Sequence, residues 1–275
     1  MLVVRHIHRL VGINLCNQHL RRLGFNISGT VKVMREIPVW GTIVFIECDG
    51  PDEASLEKGI DKCAEYFREV DEVFSTYKDQ SQVSRLRRGE IKIGEFSKDL
   101  QDVWNLCLQA KEITVGSFDP WCVEGGFDPS GYVKGWASDK AIAILRDHGA
   151  TFIQVNGAGD LSLFGGPHKI GIRSPEDAKV ILKIFELNGG AIATSGTYER
   201  GAHIRDPHTG LIAIGARSAT VIGPDGGLAD ALATALIVSG RDGAIWFSRA
   251  ELAEYSAWVI DRHDEVAWSV GFGHG

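Results

Sequence analysis

Asp230 and Thr234 stand four residues apart in the run ADALATALIVSG at 229–240. On a helix that spacing puts a carboxylate and a hydroxyl on one face, about 6 Å apart along the axis. Two hard oxygen donors so placed suit magnesium, which takes few protein ligands and completes its shell with water or phosphate oxygens. The neighbours Leu232, Ala235, Leu236 and Val238 are apolar, so a bare carboxylate among them is costly unless something compensates it. The competing reading places Asp230 in the first helical turn, facing the positive end of the dipole, with Thr234 bonded to a backbone carbonyl.

Four other stretches carry chemistry-bearing side chains. GSFDP (116–120) combines a glycine turn, an aromatic ring and an Asp-Pro step. It can hold a flat ligand while Asp119 accepts hydrogen bonds, or it is a turn that Asp119 caps. FDPSGYVKG (127–135) opens a helix with Asp128, Ser130 and backbone amides ahead of it, and Lys134 can neutralise a phosphate. The alternative is an ordinary cap with a solvated lysine. VNGAGD (155–160) ends a strand, and its glycines serve a tight turn as well as they serve a ligand. ATSGTYERGAHIRDPHTG (193–210) gathers Ser195, Tyr198, His203, Asp206 and Thr209. His203 there can move a proton near neutral pH or simply face solvent. No nucleophile-elbow glycines surround Ser195, which sets a Ser195/His203/Asp206 triad low.

The elements that must position these residues follow from periodicity. VWGTIVFIEC (39–48) reads as a strand. From Asp52 the apolar positions Leu56, Ile60, Cys63, Phe67, Val70 and Phe74 recur at helical spacing. A second helix is expected after Ser97, with Leu100, Val103, Trp104, Cys107 and Leu108 inward. A loop-rich centre then runs into a helix ending near Gly149. Short strands TFIQVNG, HKIGIR, AIATSG and RSATVI precede the helix that holds Asp230. A helix at about 243–250 and two strands, SAWVI and EVAWSV, follow. Strands arriving in groups favour α+β with largely antiparallel sheets packed with helices, in one compact unit from residue 31 onward.

Composition narrows the function. The 275 residues are 44% hydrophobic and 24% charged, with a formal net charge of −7 and pI near 5.7. No basic stretch is interleaved with aromatics, which argues against nucleic acid as partner. No run reaches transmembrane length. Five cysteines, an odd number with no C-x-x-C pair, fit a reducing compartment rather than a disulfide framework or zinc. Residues 1–30 contain only a six-residue apolar patch, LVGINL, and bulky Leu15 precedes Cys16; they read as a leader or mobile extension, and the cytoplasm is the expected location, with export the alternative.

In order, GSFDP, FDPSGYVKGWASDKA, VNGAGDL, TSGTY, HIRDPHTG and ADALATALIVSG resemble the ApbE family of FAD:protein FMN transferases. WGT (40–42) and FSTYKDQSQVSRL (74–86) match its N-terminal part. The resemblance implies a T-fold-related α+β fold and a Mg²⁺-dependent enzyme that splits FAD, its substrate. FMN would go to a Thr or Ser hydroxyl of an acceptor protein carrying a D-G-x-[ST]-x-[ST]-like motif, with release of AMP. It assigns metal binding to Asp230, Thr234 and the Gly131 carbonyl. FAD contacts fall on Trp40, Tyr77, Ser117, Phe118, Asp119, Asp128, Lys134 and the backbone at Arg205, and His203 becomes the candidate base for the acceptor hydroxyl. Trp40, Pro129, Ser130, Val133, Arg205 and Ala233 depart from the family's usual residues. An FAD pyrophosphatase giving FMN and AMP, and a non-catalytic FAD-binding protein, are the alternatives.

Overall fold

The computed structural model describes residues 29–177, 179–196, 204–262 and 266–272. A two-residue turn opens its sheet: Trp40 and Gly41 both take positive φ, 56° and 67°. Such a turn follows the right-handed twist of the strands it joins. It links β1 (Val31–Val39) to β2 (Thr42–Gly50). The stretch expected as one strand from Val39 is therefore split at the turn. The partner strand β1 went unforeseen in the sequence, although VKVMREIPV carries buried positions at Val33, Ile37 and Val39.

The remaining strands are β3 (Phe152–Gly157), β4 (Asp160–Arg173), β5 (Ile181–Gly196), β6 (Ala216–Gly223), β7 (Ser256–Asp261) and β8 (Ala267–Val270). These eight strands of the described residues form one sheet in sequence order, each antiparallel to the next. The α+β expectation of antiparallel sheet packed with helices holds. HKIGIR and AIATSG are only the ends of the two longest strands, which pair across a register shift between Phe164 and His168. Residues 181–184 at the start of β5 are exposed, so no alternation marked them as strand.

Among the described residues there are five α-helices: α1 (Glu53–Phe74), α2 (Gln82–Arg87), α3 (Lys98–Ile113), α4 (Ser130–Asp147) and α5 (Gly226–Ser239). α1 lies over β1 and β2, α4 over β3 and β4, and α5 over β5 and β6. The Asp52 carboxylate caps α1 by accepting from the Ala54 N–H at 3.0 Å. All six apolar positions expected on its inner face are buried. On α3 the inner face is Leu100, Val103, Cys107 and Ala110; Leu108, expected inward, is 45% exposed because it sits about 100° further round the helix. The helix expected at 243–250 is a 3-10 run, Gly240–Ser248.

One large apolar cluster fills the space between helices and sheet. Leu161 and Leu163 alternate with Ser162, which reaches α4, so they point to the opposite face and join a smaller cluster with Ile170, Ile172, Phe185 and Ile192. Among the described residues no helix is long and apolar enough to cross a membrane.

Candidate functional site

Asp225, not Asp230, caps α5, accepting from the Leu228 N–H at 2.8 Å. Asp230 therefore lies beyond the first helical turn, in a helix whose residues are buried on most sides. The Thr234 hydroxyl meets the Ser195 hydroxyl of β5 at 3.1 Å instead of a helix carbonyl. The reading of Asp230 as a first-turn residue facing the dipole, with Thr234 on a backbone carbonyl, thus loses both its supports. Asp230 is only 7% exposed yet lines a cleft of about 460 Å³, together with Thr234 and Gly131.

The opposite wall is the 116–128 loop. Val115 and Gly116 take φ of 52° and 82°, which ends α3 and turns the chain toward the cleft. Thr114 holds the turn, its hydroxyl donating to the Ala110 carbonyl at 2.7 Å and accepting from the Phe118 N–H at 3.1 Å. Ser117, Phe118 and Asp119 then line the cleft. Ser117 takes a 2.7 Å hydrogen bond from Ser239, which ties the loop to the end of α5. Asp119 pairs with Lys111 at 2.7 Å and accepts from the Trp121 N–H at 3.0 Å, so its carboxylate is fixed in place. Beneath the loop Trp104, Trp121 and Phe127 pack with centroids 4.7–5.0 Å apart. The Asp128 N–H closes it onto the Pro120 carbonyl at 2.8 Å.

Asp128 and Lys134 line the cleft from the start of α4. The amides expected to be open there are largely engaged: Ser130 N–H donates to Asp128, and those of Tyr132 and Val133 donate to the Pro129 carbonyl. Lys134 Nζ donates to the Ser130 carbonyl at 2.6 Å, keeping its charge at the cleft wall. Arg205, at the mouth, donates to the Gly210 carbonyl at 3.1 Å. Its neighbour Asp206 closes a turn, accepting from His208 N–H and the Thr209 hydroxyl. Burial alone would raise the Asp206 pKa, but those donors and the nearby His208 together hold it below the usual value. With Asp206 used by its own turn and Ser195 bonded to Thr234, no Ser/Asp relay forms between them.

Nine of the twelve residues that the resemblance assigns thus share one cleft, and Ser130 and Ser195 line it with them. Trp40 and Tyr77 are not among its lining residues. The Trp40 indole donates to the Phe67 carbonyl at 3.1 Å and packs edge-on against Phe67, while Tyr77 is 96% exposed. His203 lies outside the described residues. Sequence reading assigned no ligand role to Asp160, Thr194 or Cys122, all of which line the cleft. Asp160 accepts from the Thr194 N–H at 3.2 Å. Its position after a strand-ending Ala-Gly turn was the available signal.

Asp230, Thr234 and Gly131, the three residues the resemblance assigns to the cation, all line this cleft, and Asp230 is the buried carboxylate among them. Among the described residues no three His, Cys, Asp or Glu side chains gather as a metal site. A carboxylate, a hydroxyl and a backbone oxygen from Asp230, Thr234 and Gly131 would suit magnesium, which fills its other positions with water or phosphate, and not zinc.

α4 and α5 cross at glycines. A Cβ on Gly135 would overlap the Gly226 carbonyl and lie 2.7 Å from the Gly227 nitrogen. Beside this contact Asp139 of α4 accepts from the Gly226 N–H at 2.8 Å and from the Ser162 hydroxyl at 2.6 Å. Burial raises the Asp139 pKa from 3.8 to about 7; Ser162 and Gly226 pull it down, and Asp225 adds to the rise. The folded protein therefore holds a proton there that the unfolded chain has lost, and stability falls as pH rises between those two values. In metal-free buffer Asp139→Asn is expected to gain in melting temperature over the wild type on going from pH 5 to pH 8. An unchanged gap across that range would show that Asp139 is not the titrating group.

The sequence pattern of the ApbE family matches residues 40–124 and 123–258. A FAD:protein FMN transferase of Rhodobacter capsulatus is 35% identical over 127 residues, covering 42% of this chain and 24% of that protein's length. Among solved structures, flavin transferase ApbE from Vibrio cholerae superposes with a TM-score of 0.75 at 22% identity, over 89% of this chain and 99% of its own. Pseudomonas stutzeri flavinyl transferase ApbE in its apo form gives 0.73 at 22% identity, over 89% and 98%. The ApbE protein of Thermotoga maritima gives 0.75 at 22% identity, over 87% and 97%. These likenesses establish the fold.

Proposed function

The chain belongs to the ApbE family, and from that premise we propose that it transfers the FMN moiety of FAD to a Thr or Ser hydroxyl of an acceptor protein, releasing AMP. The observation that carries this reading is convergence. Side chains from the 116–128 loop, from the start of α4 and from α5 meet in one cleft with a basic group and hard oxygen donors. The match to the Rhodobacter relative, named for this reaction, supports the same activity.

In the proposed reaction the acceptor oxygen attacks the FMN-side phosphorus of FAD. A new P–O bond forms, the pyrophosphate bond to AMP breaks, and the hydroxyl proton leaves to a base, for which His203 is the candidate. Magnesium held by Asp230, Thr234 and the Gly131 carbonyl would withdraw charge from the phosphate oxygens. Lys134 adds a positive charge from the same wall. Phe118, packed beneath Gly131, gives the flavin an apolar surface. Asp119, held by Lys111 and Trp121, presents a fixed acceptor to the ligand.

The test uses purified protein, FAD, magnesium and a peptide with a D-G-x-[ST]-x-[ST] motif, read by mass spectrometry. The expected result is FMN on the peptide with AMP in equal amount. AMP and free FMN with an unmodified peptide and an unmodified acceptor protein would replace transfer by hydrolysis. Bound FAD with no AMP would leave a binding protein.

A further inference from the structure

The residues assigned to the cation lie on two helical stripes. On α4, Gly131, Gly135 and Asp139 follow at four-residue spacing; on α5, Gly226, Asp230 and Thr234 do the same. The stripes meet where Gly135 abuts Gly226 and Asp139 accepts the Gly226 N–H. Gly131 is thus one turn from the crossing on one helix, and Asp230 one turn from it on the other. A shift or rotation at the crossing passes directly to the ligands, because each helix is rigid over a single turn of about 5.4 Å.

Van der Waals contact between glycines sets how closely the helices approach but leaves them free to slide and turn. The directional restraint at this point is the Asp139 carboxyl. One oxygen takes the Gly226 N–H, and the other takes the hydroxyl of Ser162 in β4. Three elements (α4, α5 and the sheet) are therefore joined through one side chain, which itself does not line the cleft.

We propose that Asp139 is the positioning residue of the cation site, fixing the rotation of α5 on α4 so that Asp230 and Thr234 stay in register with the Gly131 carbonyl. The role rests on hydrogen-bond acceptance rather than charge. The Asp139→Asn substitution would keep it, since the amide carbonyl can accept from Gly226 while Ser162, whose hydroxyl donates or accepts, turns to accept from the amide nitrogen. Alanine would lose it. The inference depends on the cation assignment made above.

The experiment is magnesium titration by calorimetry on the full chain without FAD, well below each variant's melting temperature. Wild type should bind, and Asp230→Ala should not. Asp139→Ala is expected to bind at least about tenfold more weakly, the scale seen when a partner behind a metal ligand is removed. Asp139→Asn should bind within about threefold of wild type, against that tenfold loss. No binding by wild type would remove the cation assignment itself. Binding lost with Asp230→Ala but undiminished in folded Asp139→Ala would overturn the positioning role alone. Should the alanine variant not fold, Asp139→Asn decides: retained affinity supports acceptance, and a tenfold loss in a folded protein overturns it.

Discussion

Asp230→Ala is expected to lower FMN transfer by roughly a thousandfold, corresponding to about 4 kcal/mol of lost transition-state stabilisation. The basis is position. This carboxylate is 7% exposed, lies past the capped first turn of α5 and lines the cleft with Thr234 and Gly131. It is the one carboxylate in the proposed cation set, so its loss leaves only neutral donors. Asp230→Asn keeps an oxygen at the same place and should retain partial activity that rises with magnesium concentration. Initial rates over a magnesium series, with melting curves in EDTA as the folding control, separate the readings. Full transfer by a folded Asp230→Ala protein would end the cation role of this residue. An asparagine variant indifferent to magnesium would argue that Asp230 acts through packing instead.

Gly135→Ala should destabilise the protein by about 2 kcal/mol, the range for forcing a methyl group into a filled site. Helix propensity alone pushes the opposite way, favouring alanine by about 1 kcal/mol at a helical position. The sign of the measured change therefore decides. What the new methyl meets is backbone, the Gly226 carbonyl and the Gly227 nitrogen, so no rotamer change relieves the overlap. Only separation of α4 from α5 does, which opens the core and moves the proposed cation ligands apart. Urea unfolding of the two proteins gives the answer, with magnesium affinity as a second readout. A stabilised Gly135→Ala protein would mean that the helices are not in contact at this point.

By itself the sequence determined the long helices and the family. Leu56 to Phe74 repeats at helical spacing because α1 buries one face against a sheet, and all six expected positions are inside. Grouped strands announced antiparallel pairing. The order of short motifs identified the family because each motif keeps the residue types its turn or helix start requires. Tertiary structure decided what local pattern cannot encode. Trp40 looks like strand beside Val39, yet it forms a turn at positive φ because β1 must pair with β2. The exposed start of β5, residues 181–184, carries no alternation, and only its partner β4 makes it a strand. A place for Asp230 in the first helical turn was open until Asp225, five residues earlier, proved to be the cap. Asp139 lay unremarked inside a helix, because its meaning comes from Gly226 and Ser162, 87 and 23 residues away in the chain. Local periodicity reports which face of an element is buried. It does not report which two elements touch, and the register of α4 on α5 is a property of that contact.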